Sequence, residues 1–281
     1  MKRIDRIKLD LTRNWKLPGK ERLSRWLKPS NNLKLKINNG IAWLSDEDIA
    51  IYANADNYVE WTILSTGTYE SEINKLIRIS LKSGENALDI GANVGLQSIR
   101  MSQCAGENGK IYAFEPLSHL QEKFSRNILL NKITNVTLLP FALADLESEA
   151  DFRIDKKSWN QGAFSLYNKN GGSENERVTI KVGDNLPEIQ NFTSLELIKI
   201  DVEGFEYQVL KGLKGTLEKH RPRIIFEYDE HYWIKTGQEI ADCYLFLKSL
   251  NYTVYQITPV GCELLTNSEN IEGGNLFCIP A

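Results

Sequence analysis

The sequence predicts an α/β fold in which helices cover both faces of a mostly parallel sheet. Short apolar segments alternate with helical segments over most of the chain, which is the order expected of consecutive βαβ units. Two of the apolar segments end in an acid, Glu115 in one and Asp201 in the other. Because ligands of open α/β sheets bind at the carboxyl ends of the strands, these acids indicate where a site would lie.

The composition excludes three broad classes of protein. Of the 281 residues, 42% are hydrophobic and 10% are aromatic, which is enough for a large core and argues against a disordered chain. No apolar run approaches the roughly 18 residues that a membrane-spanning helix needs. The net charge of −3, from 34 basic and 37 acidic residues, argues against a protein built mainly to hold nucleic acid.

The cysteines and the first residues predict a cytoplasmic protein. Cys104, Cys243, Cys262 and Cys278 form no CxxC pair, so neither a zinc finger nor a thioredoxin-like motif is indicated. Scattered thiols of this kind are typical of a reducing compartment. The basic start MKRIDRIKLDLTR lacks the continuous apolar segment of a secretory signal.

The chain divides into a basic helical and β-hairpin region, residues 1–65, and a main domain, residues 66–281. Residues 1–30 contain ten Lys or Arg and three acids, a local charge of +7, with apolar residues at helical spacing. This segment could pack on the domain or on another subunit of an oligomer, which we favour, lie on an anionic membrane surface, or contact an acidic acceptor. Residues 33–66 look β-rich, with Asn39-Gly40 as a hairpin turn before IAWL.

The main domain is expected to begin with a helix that Ser71 caps and that extends to about Leu81. The polar residues 155–177 interrupt the later alternation and are expected to form a long loop. The other strands are expected at 86–90, 110–114, 136–140, 177–182, 195–201, 223–228, 252–257 and 275–280. Four further helices are expected from apolar residues at helical spacing: Leu96 and Ile99 in the first, Leu120, Phe124 and Ile128 in the second, Val209, Leu210, Leu213 and Leu217 in the third, and Ile240, Tyr244 and Leu247 in the fourth.

The segment LDIGANVG, residues 88–95, is the strongest single motif. Asp89 ends a buried strand, and Gly91 and Gly95 flank a tight turn into a helix, where glycine lets the backbone approach a ligand. The GxxxG spacing differs from the GxGxxG of dinucleotide sites, and the Lys-Ser/Thr of a phosphate loop is absent. The turn therefore suits a ligand without a pyrophosphate, or is a plain strand-to-helix turn.

Two further motifs place charged residues at strand ends. Glu115 could accept hydrogen bonds from a ribose diol, or could be a solvated loop residue. Lys199, Asp201 and Glu203 alternate along one strand end and could therefore point into one site. They could instead form a Lys–carboxylate pair that closes the sheet. We favour the site, because ligands of such sheets bind at these ends.

The order of five motifs resembles that of the FkbM-type methyltransferase family. The motifs are LDIGANVG (88–95), FEP (114–116), FALAD (141–145), LIKIDVEGFEYQVLKG (197–212) and IIFEY (224–228). TYESE, which includes Glu70, and the two asparagines of SRNILLN also resemble that family. The resemblance covers about residues 66–281.

The resemblance implies a Rossmann-like, seven-stranded methyltransferase sheet that binds S-adenosyl-L-methionine. Glu115 would bind the ribose hydroxyls, Ala142 and Leu143 would border the adenine, and Glu70 would close over the methionine end. The cofactor-binding residues that it implies are Glu70, Asp89, Gly91, Ala92, Asn93, Gly95, Glu115, Pro116, Ala142 and Leu143.

The reaction expected is methyl transfer to a hydroxyl group of a carbohydrate or small metabolite. Asp201 is the first choice of general base and Glu203 the second, with Lys199 paired to either and His231 as an alternative base. Asp201, Glu227 and Asp229 could be taken for ligands of a divalent cation, but no adjacent acid pair supports this and no metal is expected.

Three other functions are weighed against this one. A methyltransferase acting on protein or nucleic acid is kept open by the basic residues 1–30, although the net charge makes nucleic acid unlikely as a partner. A non-catalytic cofactor-binding scaffold is disfavoured, because the acids and glycines of the motifs are all present. A dinucleotide-dependent oxidoreductase is disfavoured by the missing GxGxxG.

Overall fold

A computed structural model of the chain describes residues 3–13, 20, 23, 24, 27, 40–55, 57–154 and 174–281. Thirteen strands are found in these ranges: β1 (Gly40–Trp43), β2 (Ala50–Ala53), β3 (Ala87–Ile90), β4 (Ile111–Phe114), β5 (Val136–Leu139), β6 (Ala142–Ala144), β7 (Ser148–Ile154), β8 (Glu174–Val182), β9 (Leu197–Ile200), β10 (Arg223–Tyr228), β11 (Tyr252–Thr258), β12 (Gly261–Leu264) and β13 (Gly274–Pro280).

Helices connect most of these strands. In the same described ranges they are α1 (Arg3–Arg13), α2 (Tyr58–Thr66), α3 (Ser71–Ser80), α4 (Leu96–Ala105), α5 (Ser118–Leu130), α6 (Pro187–Gln190), α7 (Glu206–Gly212), α8 (Lys214–His220), α9 (Glu230–Thr236) and α10 (Ile240–Ser249), with 3₁₀ turns at Gly183–Asn185 and Ser268–Asn270.

The central sheet has the order β12-β11-β13-β10-β9-β3-β4-β5. Strands β10, β9, β3, β4 and β5 are parallel, and β13 lies antiparallel between β10 and β11. The predicted α/β class is confirmed: seven strands form the expected sheet, and β12 adds an eighth at its edge. The strand order reverses between β3 and β9, and such a switch point is where ligands of open α/β sheets bind.

The predicted buried strands are confirmed by their packing. All four residues of β3 and all four of β9 are buried, because helices cover both faces of the sheet at its centre. The apolar face predicted for α3 is also buried at Ile73, Leu76 and Ile77. The predicted helix of Val209 to Leu217 is divided at Leu213 into α7 and α8.

The β-rich structure expected for residues 33–66 is wrong where α2 forms. The sequence YVEWTILST is rich in β-branched and aromatic residues, which favour strands in isolation. Asn57 caps the helix, its Oδ1 accepting a hydrogen bond from the Glu60 amide, and Gly67 ends it in the left-handed conformation. Seven of the nine residues of α2 are buried, so tertiary packing outweighs the local preference.

Two other local predictions are corrected. The N-cap of α3 is Glu70 rather than Ser71, whose hydroxyl donates instead to Glu72 Oε1 at 3.0 Å. Gly40 was expected in a hairpin turn, but it is the first residue of β1. Among the described residues, β1 pairs with β2, which follows it in the chain, and Gly40 lies opposite Ala53. The segment 33–39 that was expected to pair with it lies outside the described residues.

The long loop expected at 155–177 lies mostly outside the described residues, and only its last part can be compared. Residues 174–177 belong to β8, which is longer than the predicted strand. This strand pairs with β6 and β7 in a separate three-stranded sheet. The small sheet lies beside the carboxyl ends of the central strands, since Phe152 and Ile180 line the same cavity as Glu115.

Residues 40–66 pack closely on the main domain. Ile51 and Ile63 share a buried apolar cluster with Leu96 and Ile99 of α4. The buried Asn127 side chain of α5 accepts from the Tyr52 amide at 2.8 Å and donates to the Val94 carbonyl at 2.8 Å. These contacts favour one folding unit that continues across residue 65, and the boundary placed there stays a prediction.

The described part of the basic N-terminal segment packs on α2. Leu9 of α1 contacts the cluster of Ala55 and Trp61, and the Trp61 indole donates to the Ser24 carbonyl at 3.1 Å. Packing on the domain or on another subunit is the favoured prediction for this segment, and contact with another subunit or with a membrane stays a prediction. None of the described helices has the length and apolar content that crossing a membrane requires.

Candidate active site

A cavity of about 830 Å³ lies at the carboxyl ends of β3, β4, β9 and β10, at the switch point of the sheet. Its size is in the range of pockets that hold small molecules or cofactors. Of the residues predicted from sequence, those in its wall are Glu70, Gly91, Asn93, Glu115, Pro116, Ala142, Leu143, Asp201 and Glu203.

The turn after β3 divides its residues between the cavity and the core. Gly91 and Asn93 line the cavity, whereas Ala92 packs against Phe124 and Gly95 is the N-cap of α4. Gly91 has a φ of +82°, and a Cβ there would collide with the carbonyl oxygen of Asp201. The turn therefore needs glycine at this position, because only glycine lets it approach the Asp201 backbone so closely.

Glu115 is held at the end of β4 by two backbone amides. Its Oε2 accepts from the Asn93 amide at 2.9 Å and its Oε1 from the Leu117 amide at 3.0 Å. Each carboxylate oxygen keeps a lone pair for a further donor, as binding of a vicinal diol requires. Burial raises the pKa of Glu115 to about 7 against the opposing effect of the two amides.

Asp89 is fully buried and does not line the cavity. Its Oδ2 accepts from the Ser98 hydroxyl at 2.5 Å, and its Oδ1 has no hydrogen-bond partner among the described residues. Burial raises the pKa of this carboxyl. An unpartnered buried acceptor requires an explanation, and it is compatible with the cofactor role that the motif implies.

One end of the cavity is apolar. Ala142 and Leu143 of β6 line it together with Phe114, and the small sheet contributes Phe152 and Ile180. A flat aromatic ring fits such a wall, whereas an ionic group does not.

The other end of the cavity is acidic and is organised by one lysine. Lys199 is buried behind the wall, and its Nζ lies 2.8 Å from Asp201 Oδ2. Burial alone would raise the pKa of Asp201, but the Lys199 ammonium outweighs it and holds this pKa below its ordinary value. Asp201 is therefore ionised at neutral pH, with one oxygen engaged by Lys199.

Two further carboxyl groups lie around Asp201. Burial and the charge of Asp201 raise the pKa of Glu203 to about 9. The charge of Asp201, together with burial, raises the pKa of Glu227 to about 10. Tyr232 donates a hydrogen bond to Glu203 and also lines the cavity.

Glu70 is held by a chain of side chains that reaches the β1–β2 connection. Gln97 Nε2 donates to Glu70 Oε2 at 2.6 Å, and Arg100 Nη1 donates to Gln97 Oε1 at 3.2 Å. Arg100 forms a two-pronged ion pair with Glu47, at 2.6 and 2.7 Å, and also donates to the Tyr69 carbonyl. Burial raises the pKa of Glu70 to about 7.

Backbone strain is concentrated in the cavity wall. Glu70, Asn93 and Glu203 have φ values of 48°, 50° and 54°, in the left-handed region that non-glycine residues seldom adopt. Of the six such non-glycine residues in the described ranges, these three line the cavity. Strained residues cluster at functional sites, so this distribution favours a functional role for the cavity.

The structure separates His231 from the cavity. His231 is exposed in the first turn of α9 and lies outside the cavity wall. Within the described ranges, no group of three or more His, Cys, Asp or Glu residues could hold a metal ion.

Several wall residues carry no motif in the sequence. Tyr58 and Tyr69 come from α2 and the segment after it, and Thr258 and Asn275 come from the antiparallel strands β11 and β13. No local pattern indicates that these segments reach the site. Their positions follow from the packing of α2 and from the insertion of β13 beside β10.

The fold and this cavity define a class of protein. A mostly parallel sheet carries, at its switch point, a glycine turn, an acid after the second parallel strand that is free to bind a diol, and an apolar pocket beside it. This combination defines an α/β domain that binds a nucleoside-containing cofactor, without the pyrophosphate motif of dinucleotide enzymes.

The chain belongs to the FkbM methyltransferase family. The methyltransferase FkbM domain matches residues 89–254, more than half of the chain. One curated relative is the methyltransferase sdnD of Sordaria araneosa, which is 28% identical over 48% of this chain and 62% of its own length. Another is the hexuronic acid methyltransferase AglP of Haloferax volcanii, which is 24% identical over 53% of this chain and 58% of its own length. The chain thus spans about three fifths of each.

A solved structure of the same family is similar at low identity. The methyltransferase FkbM of Methylobacillus flagellatus KT is 13% identical, with a TM-score of 0.46 over 79% of this chain and 53% of its own.

Proposed function

We propose that this protein is an S-adenosyl-L-methionine-dependent O-methyltransferase that methylates a hydroxyl group of a carbohydrate or small metabolite. Membership of the FkbM methyltransferase family supports the class of reaction. One structural observation carries the proposal. A single cavity contains two carboxyl groups with different roles: Glu115 after β4, which can accept hydrogen bonds from a diol, and Asp201 after β9, which is ionised.

The residues present fit this cofactor. Glu115 would bind the ribose hydroxyls, Ala142 and Leu143 would border the adenine, and Pro116 lines the same wall. Gly91 and Asn93 would form the floor, and Asp89, Ala92 and Gly95 would hold the turn in shape. Glu70 would face the cationic methionine end. When bound, this cofactor supplies a methyl group on a positively charged sulfur, which makes the methyl carbon electrophilic.

The chain itself would position the acceptor and take its proton. Asp201 is proposed as the general base, and Lys199 keeps it ionised at neutral pH. Holding two reactants in attack geometry supplies about 7–11 kcal/mol of the barrier, and a general base adds roughly 10²- to 10⁴-fold. Glu203, protonated and bonded to Tyr232, would shape the acceptor end.

A hydroxyl acceptor is distinguishable from a carboxylate acceptor. One relative is named for hexuronic acid, which has both groups, so this chain could methylate either one. The described wall around Asp201 contains Glu203, Glu227 and Asp229 and no Lys, Arg or His, which disfavours an anionic group at that end. A neutral hydroxyl group is therefore the proposed acceptor.

The test is transfer of labelled methyl from S-adenosyl-L-methionine into a fractionated cell extract. We expect label in the glycan or small-metabolite fraction that survives mild alkali, because methyl ethers resist hydrolysis and methyl esters do not. Asp201→Asn should lose at least 100-fold in rate, whereas Asp151→Asn, on the exposed part of β7, should not change it. Label in protein, in nucleic acid or in an alkali-labile ester would contradict the proposed acceptor.

A further inference from the structure

Glu227 and Asp201 form a pair of carboxyl groups in direct contact. Strands β9 and β10 are parallel with Phe226 opposite Ile200, so the next residue of each strand, Glu227 or Asp201, lies beside the other. The two side chains are hydrogen bonded and both line the cavity. Without a further cation beside them, two carboxyl groups in contact cannot both stay ionised, so in the free protein the pair shares one proton.

The surroundings place that proton on Glu227. Lys199 Nζ contacts the Oδ2 of Asp201 at 2.8 Å and stabilises its negative charge. No ion pair joins Glu227 to a basic residue in the described part of the chain. The Glu227 hydroxyl therefore donates to the Asp201 carboxylate. The groups facing Glu227 from the neighbouring elements are Glu70 and Tyr69 before α3, Asp201 and Glu203 after β9, and Tyr232 of α9.

All of these groups are acids or phenols, and the Lys199 ammonium lies behind Asp201, outside the cavity wall. A cation that enters the cavity would meet little competing positive charge there. It would favour the ionised form of a neighbouring carboxyl group by roughly 10- to 1,000-fold, which is the usual effect of an opposite charge at contact range.

We propose that Glu227 releases its proton when the cationic cofactor binds and then serves, paired with Asp201, as the group that receives the proton of the acceptor hydroxyl. This inference rests on the proposed function. It adds Glu227 to the catalytic residues, and it explains how a weakly basic Asp201 could take part in proton removal. The base would be generated only in the presence of the methyl donor.

The step balances. The acceptor hydroxyl gives its proton to the Glu227 carboxylate while its oxygen forms a bond to the methyl carbon. The bond between that carbon and sulfur breaks with its electron pair on sulfur, which becomes a neutral thioether. Glu227 is then protonated as it was before cofactor binding, and the positive charge that favoured its ionisation is gone.

The test is calorimetry of cofactor binding near pH 7.5 in buffers of different ionisation enthalpy, with a chelator present. The dependence of the binding heat on the buffer gives the number of protons released. We expect release of a substantial fraction of one proton with S-adenosylmethionine and much less with S-adenosylhomocysteine, which has the same amino group but no positive sulfur. The difference between the two ligands isolates the effect of the sulfonium charge.

Glu227→Gln should abolish the difference between the two ligands while changing affinity less than tenfold. Asp201→Asn should also reduce the difference between the two ligands. Without the Asp201 charge, Glu227 is already largely ionised before the cofactor binds and has less proton to release. This second variant keeps the test valid if the first fails to fold. Asp151→Asn, on the exposed part of β7 and outside the cavity wall, is the control and should leave the difference unchanged.

The outcomes separate the two proposals. Tight binding of S-adenosylmethionine without proton release, equal release with both ligands, or undiminished release in Glu227→Gln would overturn the role of Glu227 and leave the proposed function standing. Failure to bind either ligand would instead contradict the proposed function.

Discussion

Gly91 is the position where one added carbon atom would disturb the site most. Its φ of +82° is unfavourable for other residues, and a Cβ would meet the Asp201 carbonyl, which the β3–β9 pairing holds in place. Gly237 has a similar φ of +68°, but no atom of the described chain lies within 4 Å of its Cβ position. The two glycines therefore differ mainly in the space around them.

We expect Gly91→Ala to destabilise the protein by more than about 3 kcal/mol, or to fold without binding the cofactor, because it adds a backbone collision to the conformational strain. Gly237→Ala should cost only about 1–2 kcal/mol and leave cofactor affinity unchanged. Urea unfolding and a cofactor titration measure both effects. Equal losses in the two variants would show that the close approach of Gly91 to Asp201 does not matter.

Glu227 should make the free protein less stable as pH rises. Its pKa is about 10 in the folded state and near its ordinary value of 4.5 when unfolded. Between these values the folded state binds more protons than the unfolded state, so the free energy of unfolding falls with pH. Glu227→Gln removes this dependence. Between pH 5 and pH 9, we expect wild type to lose up to about 1.4 kcal/mol per pH unit relative to the variant in urea unfolding; parallel curves would contradict the assignment.

The motifs predicted which strand ends carry the site but not how each residue acts there. Asp201, Glu115 and Glu203 line the cavity as expected. Ala92 and Gly95 shape the turn from the core side, and His231 is exposed. Spacing along a strand cannot tell which carboxyl groups touch across two strands, so the contact of Glu227 with Asp201 depends on the register of β9 and β10.

Helix α2 is the clearest case in which local sequence misled. Its residues favour strands, yet Asn57 and Gly67 supply both ends of a helix, and burial against α1 and the central domain fixes it. The strands of the central sheet were predictable because they are apolar throughout and separated by helices of clear periodicity. The antiparallel placement of β13 was not, because its sequence resembles that of the parallel strands.

Helix α5 holds the β1–β2 hairpin through two asparagines, which gives a paired test. Asn127 is fully buried between the Tyr52 amide and the Val94 carbonyl, whereas Asn131 contacts the backbone of Ala50 at a partly exposed position. We expect Asn127→Ala to cost about 2–4 kcal/mol, since it leaves two buried groups unpaired, and Asn131→Ala to cost about 1 kcal/mol. Thermal or urea unfolding of both variants checks the order, and the reverse order would contradict it.

Across the whole molecule, the question is whether residues 40–66 fold with the main domain. Ile51 is fully buried in the cluster that contains Leu96 and Ile99, while Ile41 of the neighbouring strand is 48% exposed. The hairpin also carries Glu47, which pairs with Arg100 and through Gln97 reaches Glu70 in the cavity. The sequence alone indicated a separate basic region because charge changes along the chain, whereas packing across α4 has no linear signature.

We expect Ile51→Ala to lower the stability of the entire described domain by about 2–5 kcal/mol in one cooperative transition, because the cavity it leaves lies in a shared core. Ile41→Ala should change stability by less than about 0.5 kcal/mol. Calorimetry, together with thermal unfolding monitored by tryptophan fluorescence, measures the stability of both variants. A separate early transition in Ile51→Ala, with the rest of the protein unaffected, would instead support an independent region ending near residue 65.

The most direct test of the central claim is a titration of the purified protein with S-adenosyl-L-methionine and, separately, with NAD. The account predicts binding of one S-adenosyl-L-methionine and no tight binding of NAD. Glu115→Gln should weaken binding about 10- to 100-fold. The glutamine has no negative charge to hold the ribose hydroxyls, and its side-chain nitrogen would face a backbone amide. Glu72→Gln, in the same wall on α3, should not weaken binding. Tight NAD binding, or an unchanged affinity in Glu115→Gln, would contradict the account.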